Sequence, residues 1–96
     1  MLFDHYKDYD TTEFVSTLPD IQKSAINKNM VSMAMLVTSK GMTEKKCRQA
    51  AAYLKENDIV MSDSVDAIYY DLVRYCYLVS PDLMGRRRPH VITRSE

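Results

Sequence analysis

The chain has no tryptophan, two glycines, three prolines, two cysteines and two histidines in 96 residues. So few turn-forming residues, with no long alternation of apolar and polar positions, argue against a β-sandwich or barrel. The histidines, His5 and His90, lie near opposite ends, so there is no His-x-x-x-His pair. Nor is there a Cys-x-x-Cys, a glycine-rich phosphate loop or a nucleophile elbow. Thirteen basic residues balance thirteen acidic ones, which removes any global attraction to nucleic acid or membrane. The longest apolar run, Met33 to Val37, is far too short to cross a bilayer. Met1-Leu2-Phe3-Asp4-His5 lacks the basic region and apolar stretch of a secretion signal, so a soluble, cytoplasmic protein is expected.

Methionine and tyrosine, seven of each, supply the large apolar surface instead. One domain fits the length, and a chain this size buries enough surface for one modest core. The apolar residues recur at helical spacing. The clearest case is Ser62 to Ser80, where Val65, Ile68, Tyr69, Leu72, Cys76 and Val79 make one face. Ser62 or Asp63 offers a cap, and Pro81 stops the helix at Ser80. A second helix is expected from Thr43, its cap, to Asn57, with a narrow face of Cys47, Ala50, Ala51 and Leu54. Lys40 and Gly41 precede it, with Gly41 at a left-handed helix end. A third is expected from Ile21, capped by Asp20, to about Ser39, on the stripe Ile26, Met30, Met33 and Val37. A short one starts at Thr11 or Thr12, sets Phe14, Val15 and Leu18 toward the core, and ends at Pro19. Residues 1–10 read as a short helix or an ordered arm. The expected fold is all-α: a single-domain bundle of four main helices over residues 1–85, with the N-terminal segment a candidate fifth, and a basic tail over 86–96.

Cys47 and Cys76, each on an apolar face, read as buried thiols rather than a disulfide framework, with a bridge between them as the alternative. Asp8-x-Asp10-x-Thr12 has the start of a calcium loop, but Glu13 and Pro19 stand where the loop needs glycine and glutamate. His5 beside Asp4 and Asp8 is too sparse for zinc. Asp63, Asp66 and Asp71 are surface positions by pattern. No catalytic residue, metal ligand or cofactor is assigned, and no enzymatic activity is expected.

Binding is the remaining class, and three stretches are candidates for it. From Met30 to Val37 the helix is apolar nearly all round, through Met30, Met33 and Met35. Such a helix is either central in the fold or covered by a partner or a second copy of the chain. Lys45, Lys46 and Arg48 make a basic face on the next helix. Arg86, Arg87 and Arg88 must be solvated, paired with acid or bound to an anionic surface. The charges alternate along the chain: residues 1–20 hold five acids and one base, 40–56 five bases and two acids, 57–82 five acids and one base. A helix-turn-helix that reads DNA bases is disfavoured, because Asp63, Asp66 and Asp71 on the second helix repel phosphate. Backbone contacts from the basic helix and tail are compatible with nucleic acid.

Gly41-Met42 and Ala52-Tyr53-Leu54-Lys55-Glu56-Asn57-Asp58-Ile59 resemble the middle of the late-transcription coactivators of T4-like phages. Those small helical proteins bridge host RNA polymerase to the sliding clamp. The likeness covers about twenty residues of the chain, with a small gap. Where that family ends in an acidic, hydrophobic clamp-binding tail, this chain ends in Arg86 to Glu96, so clamp binding is not implied and no binding residue is carried over. Asp58-Ile-Val-Met-Ser-Asp63 resembles small enterobacterial biofilm regulators. Both resemblances imply small regulators that act by binding. The expected function is thus a non-enzymatic, protein-binding regulator: a phage-encoded modulator of transcription in the host cytoplasm, acting on host RNA polymerase. The alternatives are a phage or mobile-element inhibitor of a host enzyme or defence complex, and a nucleic-acid-binding module.

Overall fold

Asn27 decides how the middle of the chain folds. Its backbone is extended, and its side-chain oxygen accepts the N–H groups of Asn29 at 2.9 Å and Met30 at 3.2 Å. Two donors that a helix start leaves unpaired are thereby satisfied. A computed structural model of the chain describes residues 2–62 and 64–81. Every described regular element is helical, and the fold is all-α. The elements are a 3₁₀ helix Leu2–Asp8, then α1 Thr12–Ser16, α2 Asp20–Ala25, α3 Lys28–Ser39, α4 Glu44–Glu56 and α5 Val65–Val79. Asn27→Ala is expected to cost about 0.5–2 kcal/mol, read as a lower urea midpoint at unchanged slope. An unmoved midpoint would mean that α3 does not need this cap.

The single helix expected from Ile21 to Ser39 is therefore two, broken at the extended residues Ile26 and Asn27. The polar run Gln22 to Asn29 gives the first half nothing large to bury except Ile26. Pro19, not Asp20, precedes α2, and Asp20 is its first residue, where its charge suits the helix dipole. In α1 neither threonine's side chain caps; the Asp10 carboxylate accepts the Thr12 N–H at 2.9 Å. Phe14, Val15 and Leu18 are only half-buried, because a five-residue helix on the rim cannot reach the core.

α3 is the centre. Met30, Val31, Ser32, Met33, Ala34, Leu36 and Val37 are all buried. α5, the N-terminal 3₁₀ helix and α4 pack round it. The 3₁₀ helix contributes Phe3 and Tyr6, whose rings meet Tyr53 of α4 at centroid distances of 6.0 and 6.2 Å. Tyr53 donates to the Asp4 carboxylate at 2.8 Å, and Tyr9 shares a 2.9 Å hydrogen bond with Ser39 of α3.

α4 follows its sequence pattern. The Thr43 hydroxyl accepts the Lys46 N–H at 3.1 Å, and Cys47, Ala50, Ala51 and Leu54 are completely buried. Gly41 has φ +94°, the left-handed geometry that a helix exit here requires. α5 starts later than the sequence suggests, because Ser64, not Ser62 or Asp63, is the cap; its hydroxyl accepts the Ala67 N–H at 3.1 Å. Its core face holds Ile68, Tyr69, Leu72 and Cys76, and it ends at Val79, ahead of Pro81. No helix among the described residues is long and apolar enough to cross a membrane.

Candidate interaction groove

α2 buries no residue of its own. It is held beside α5 at its exit, where the Asn27 N–H donates to the Tyr75 hydroxyl at 2.9 Å. A short helix fixed at one end against a longer one leaves a groove between them, of about 560 Å³. Gln22, Ala25 and Ile26 form one wall. Asp71, Arg74, Tyr75, Tyr77 and Leu78 of α5 form the other. The volume suits a side-chain cluster or a short peptide segment.

The groove is apolar inside with one ion pair on its α5 wall. Arg74 and Asp71 pair at 3.2 Å, one helical turn apart, with the arginine largely in solvent. The Tyr77 hydroxyl is buried and finds no hydrogen-bond partner among the described residues. Burial, reinforced by the nearby Cys76 and Cys47 thiols, pushes its pKa up, so it remains a neutral phenol with a proton to donate. Two large apolar side chains stand in solvent on the same helices. Ile21 is 83% exposed and lies one turn before Ala25; Tyr70 is 63% exposed and lies one turn before Arg74 and two before Tyr77. Neither is in the groove lining, and isolated exposed hydrophobics need no explanation.

The residues singled out from sequence lie elsewhere. Met30 and Met33 are 1% and 0% exposed, enclosed by the chain itself, so they are core residues and offer no surface. Met35 is half-buried. The basic face of α4 is weaker than its composition suggests. Arg48 bonds Glu44 at 3.0 Å and Asp66 of α5 at 3.3 Å, and its guanidinium lies 4.1 Å from the centre of the Tyr69 ring. It fastens α4 to α5, and the Glu44 hydrogen bond above all holds it charged. The Lys55 amine donates to the Ser62 carbonyl at 3.1 Å. Lys45 is exposed and Lys46 half-buried. Arg86, Arg87 and Arg88, and with them the boundary at residue 85, lie outside the described residues, as does Asp63.

No protein-family model, no curated protein and no solved structure matches the chain. The groove is therefore read from its own chemistry. Among the described residues no three of His, Cys, Asp and Glu gather where a metal ion could sit. His5 meets Asp8 at 3.4 Å in an exposed pair, and Asp10 is engaged as a cap. Between residues 41 and 59, Gly41 is a helix exit, Met42 and Leu54 are buried, and Asp58 takes a positive φ of 56°. Those residues build the fold and lie apart from the groove-lining set.

A sequence signal for the groove was present. Arg74, Tyr77 and Leu78 stand at i, i+3 and i+4 on α5, and all three line the groove. Tyrosine and arginine are the residue types enriched at the anchoring points of protein interfaces.

Proposed function

We propose that this protein is a small regulator that acts by binding another protein, and that the groove between α2 and α5 is where it does so. One observation carries the reading: a groove between α2 and α5 with Ala25, Ile26, Tyr75, Tyr77 and Leu78 in its lining and the Asp71–Arg74 ion pair on one wall. Its shape and chemistry fit an amphipathic helix or extended segment that supplies an apolar side chain. The resemblance of Gly41-Met42 and Ala52–Ile59 to phage coactivators supports a narrower version, a phage-encoded modulator of transcription whose partner is host RNA polymerase. A nucleic-acid role is disfavoured because Arg48 is already shared between two carboxylates and an aromatic ring.

Binding to purified bacterial RNA polymerase, with and without nuclease, tests both levels. The expected result is a stoichiometric complex that survives nuclease. The double variant Gln22→Asp/Arg74→Glu, both groove-lining, should bind at least about tenfold more weakly, as loss of an arginine anchor implies. Its thermal midpoint should stay close to that of the parent, since both side chains are mostly in solvent. A complex destroyed by nuclease would remove the protein-binding reading. Equal binding by the double variant would move the site away from the groove. No complex at all would remove RNA polymerase as the partner.

A further inference from the structure

The outward side of α5 has a regular pattern of its own. Ala67, Asp71, Arg74 and Leu78 are four, three and four residues apart, which aligns them in one seam along the helix. Ala67 and Arg74 are exposed, and Asp71 and Leu78 are half-buried. Tyr70, which is 63% exposed, and Tyr77 flank the seam on one side. Tyr75, which fastens the exit of α2, flanks it on the other. The centre of the seam is charged. Arg74 Nη1 and Asp71 Oδ1 pair at 3.2 Å, with 82% and 46% of the two side chains exposed. One atom of each group is engaged in that pair, and a guanidinium carries several N–H donors, so both groups can take a further charge.

We propose that the occupant of this side, in the free chain, is a second copy of the chain. Its α5 lies antiparallel along the first, and Asp71 of each copy pairs with Arg74 of the other. Spacing by four, three and four is that of two helices packed side by side at a shallow angle. A two-fold interface must be complementary to itself, and an acid and a base three residues apart meet that condition. A two-fold axis midway between Asp71 and Arg74 sets the acid of each copy opposite the base of the other, twice. A parallel pair would set Asp71 against Asp71 and Arg74 against Arg74, which repel. The same axis sets Ala67 opposite Leu78 of the second copy, small against large. It also brings Tyr70 beside Tyr77 of the second copy and takes an exposed ring out of water. The contact is short, because fifteen helical residues span only roughly 22 Å. One helix pair is smaller than a standard interface, so the dimer is weak, with a Kd of about 1–100 µM. The second copy closes the groove, and a protein that binds there must displace it. The dimer does not depend on that protein's identity.

Sedimentation equilibrium of the full chain, from about 500 µM down to about 1 µM, should show monomer and dimer in exchange and nothing larger. Dissociation should increase with salt. Asp71→Lys leaves two cations at the centre of the seam, and Arg74→Glu leaves two anions. Each variant alone should dimerise at least about tenfold more weakly than the parent, because like charges then meet across the axis. Mixed one to one, the two should form a heterodimer within about threefold of the parent affinity, since every cation again meets an anion. Simple damage to α5 would not be repaired by mixing. Tyr70→Asp leaves the ion pair alone and should also weaken the dimer, which keeps the test open if either charge variant fails to fold. A monomer at every concentration, oligomers larger than two, charge variants that dimerise like the parent, or a mixture that stays monomeric would each overturn the proposal. A monomeric chain that still binds RNA polymerase would remove the dimer and leave the groove reading standing. A dimer that binds no polymerase would remove the polymerase and leave the dimer.

Discussion

Leu72→Ala is expected to lower the free energy of unfolding by about 2–5 kcal/mol. Leu72 has no accessible surface, and it sits in the core that α3, α4 and α5 share with Met33, Leu36, Cys47 and Leu54. Emptying such a site removes transfer energy and leaves a cavity, and the cavity part depends on whether neighbours can move in. Here Ala34, Ala50 and Ala51 are also in the core, and alanine has no side chain to swing into the space. The loss should therefore fall in the upper part of the range. A domain of this kind holds only ~5–15 kcal/mol in total, so a measurable fraction of the variant should be unfolded at physiological temperature. Urea denaturation reads the effect as a lower midpoint at constant slope. Leu78→Ala is the control. It is the same truncation on the same helix, but the residue is half-buried on the groove wall, and its cost should be under about 1.5 kcal/mol. An unchanged midpoint for Leu72→Ala, or equal losses for the two, would mean that the core face of α5 is wrongly drawn.

That face was legible because two independent signals agree. The spacing of Ile68, Tyr69, Leu72 and Cys76 gives the face and Pro81 closes the helix, while the cap falls at Ser64 and not at the expected Ser62 or Asp63. α4 was legible for the same reason, from Thr43 to its buried cysteine, alanines and leucine. The helix before them misled because its stripe runs through the break. Ile26, Met30, Met33 and Val37 keep step across Asn27, and periodicity cannot tell a helical Asn27 from one that caps the next helix. The polar stretch around it was the available hint. For Met30 and Met33 the sequence left two readings open, and the central one holds, not the partner surface. An all-apolar helix is uncovered only if a small chain runs out of material to surround it. The N-terminal 3₁₀ helix supplies that material, with Phe3 and Tyr6, from the segment that reads in sequence as a short helix or an ordered arm.

The groove was the least legible part. Its walls are ordinary helix surface, and it exists only because α2 leaves the core at Ile26 and is fastened to Tyr75, 48 residues further along the chain. Arg48 shows the same limit. As a residue on α4 it counts as basic surface, but Asp66, 18 residues away, and the ring of Tyr69 take up its charge. Periodicity describes single helices, and these pairings belong to how two helices meet.

Tyr6→Ala is expected to be about as damaging as a core deletion, at about 3–5 kcal/mol, although it lies in the first ten residues. Tyr6 is 2% exposed, and its ring meets Tyr53 edge-on at 6.2 Å. The element that carries it spans seven residues in 3₁₀ geometry, too short and too poorly bonded to persist alone. The rings of Phe3 and Tyr6 must therefore hold it in place. Without Tyr6, Phe3 and the hydrogen bonds of Asp4 and Tyr9 are left to hold the segment, and part of the side of α3 it covers faces water. Two consequences separate this from simple loss of a buried ring. Amide hydrogens at the start of α3 and in Leu2–Asp8 should exchange faster than those of α4 and α5. The variant should also bind an apolar-surface dye while still folded, because buried methionine and leucine side chains of α3 become reachable. Tyr6→Phe keeps the ring and should keep most of the stability. A Tyr6→Ala variant within about 1 kcal/mol of the parent, with no dye binding, would mean that the N-terminal segment rests on the core without contributing to it.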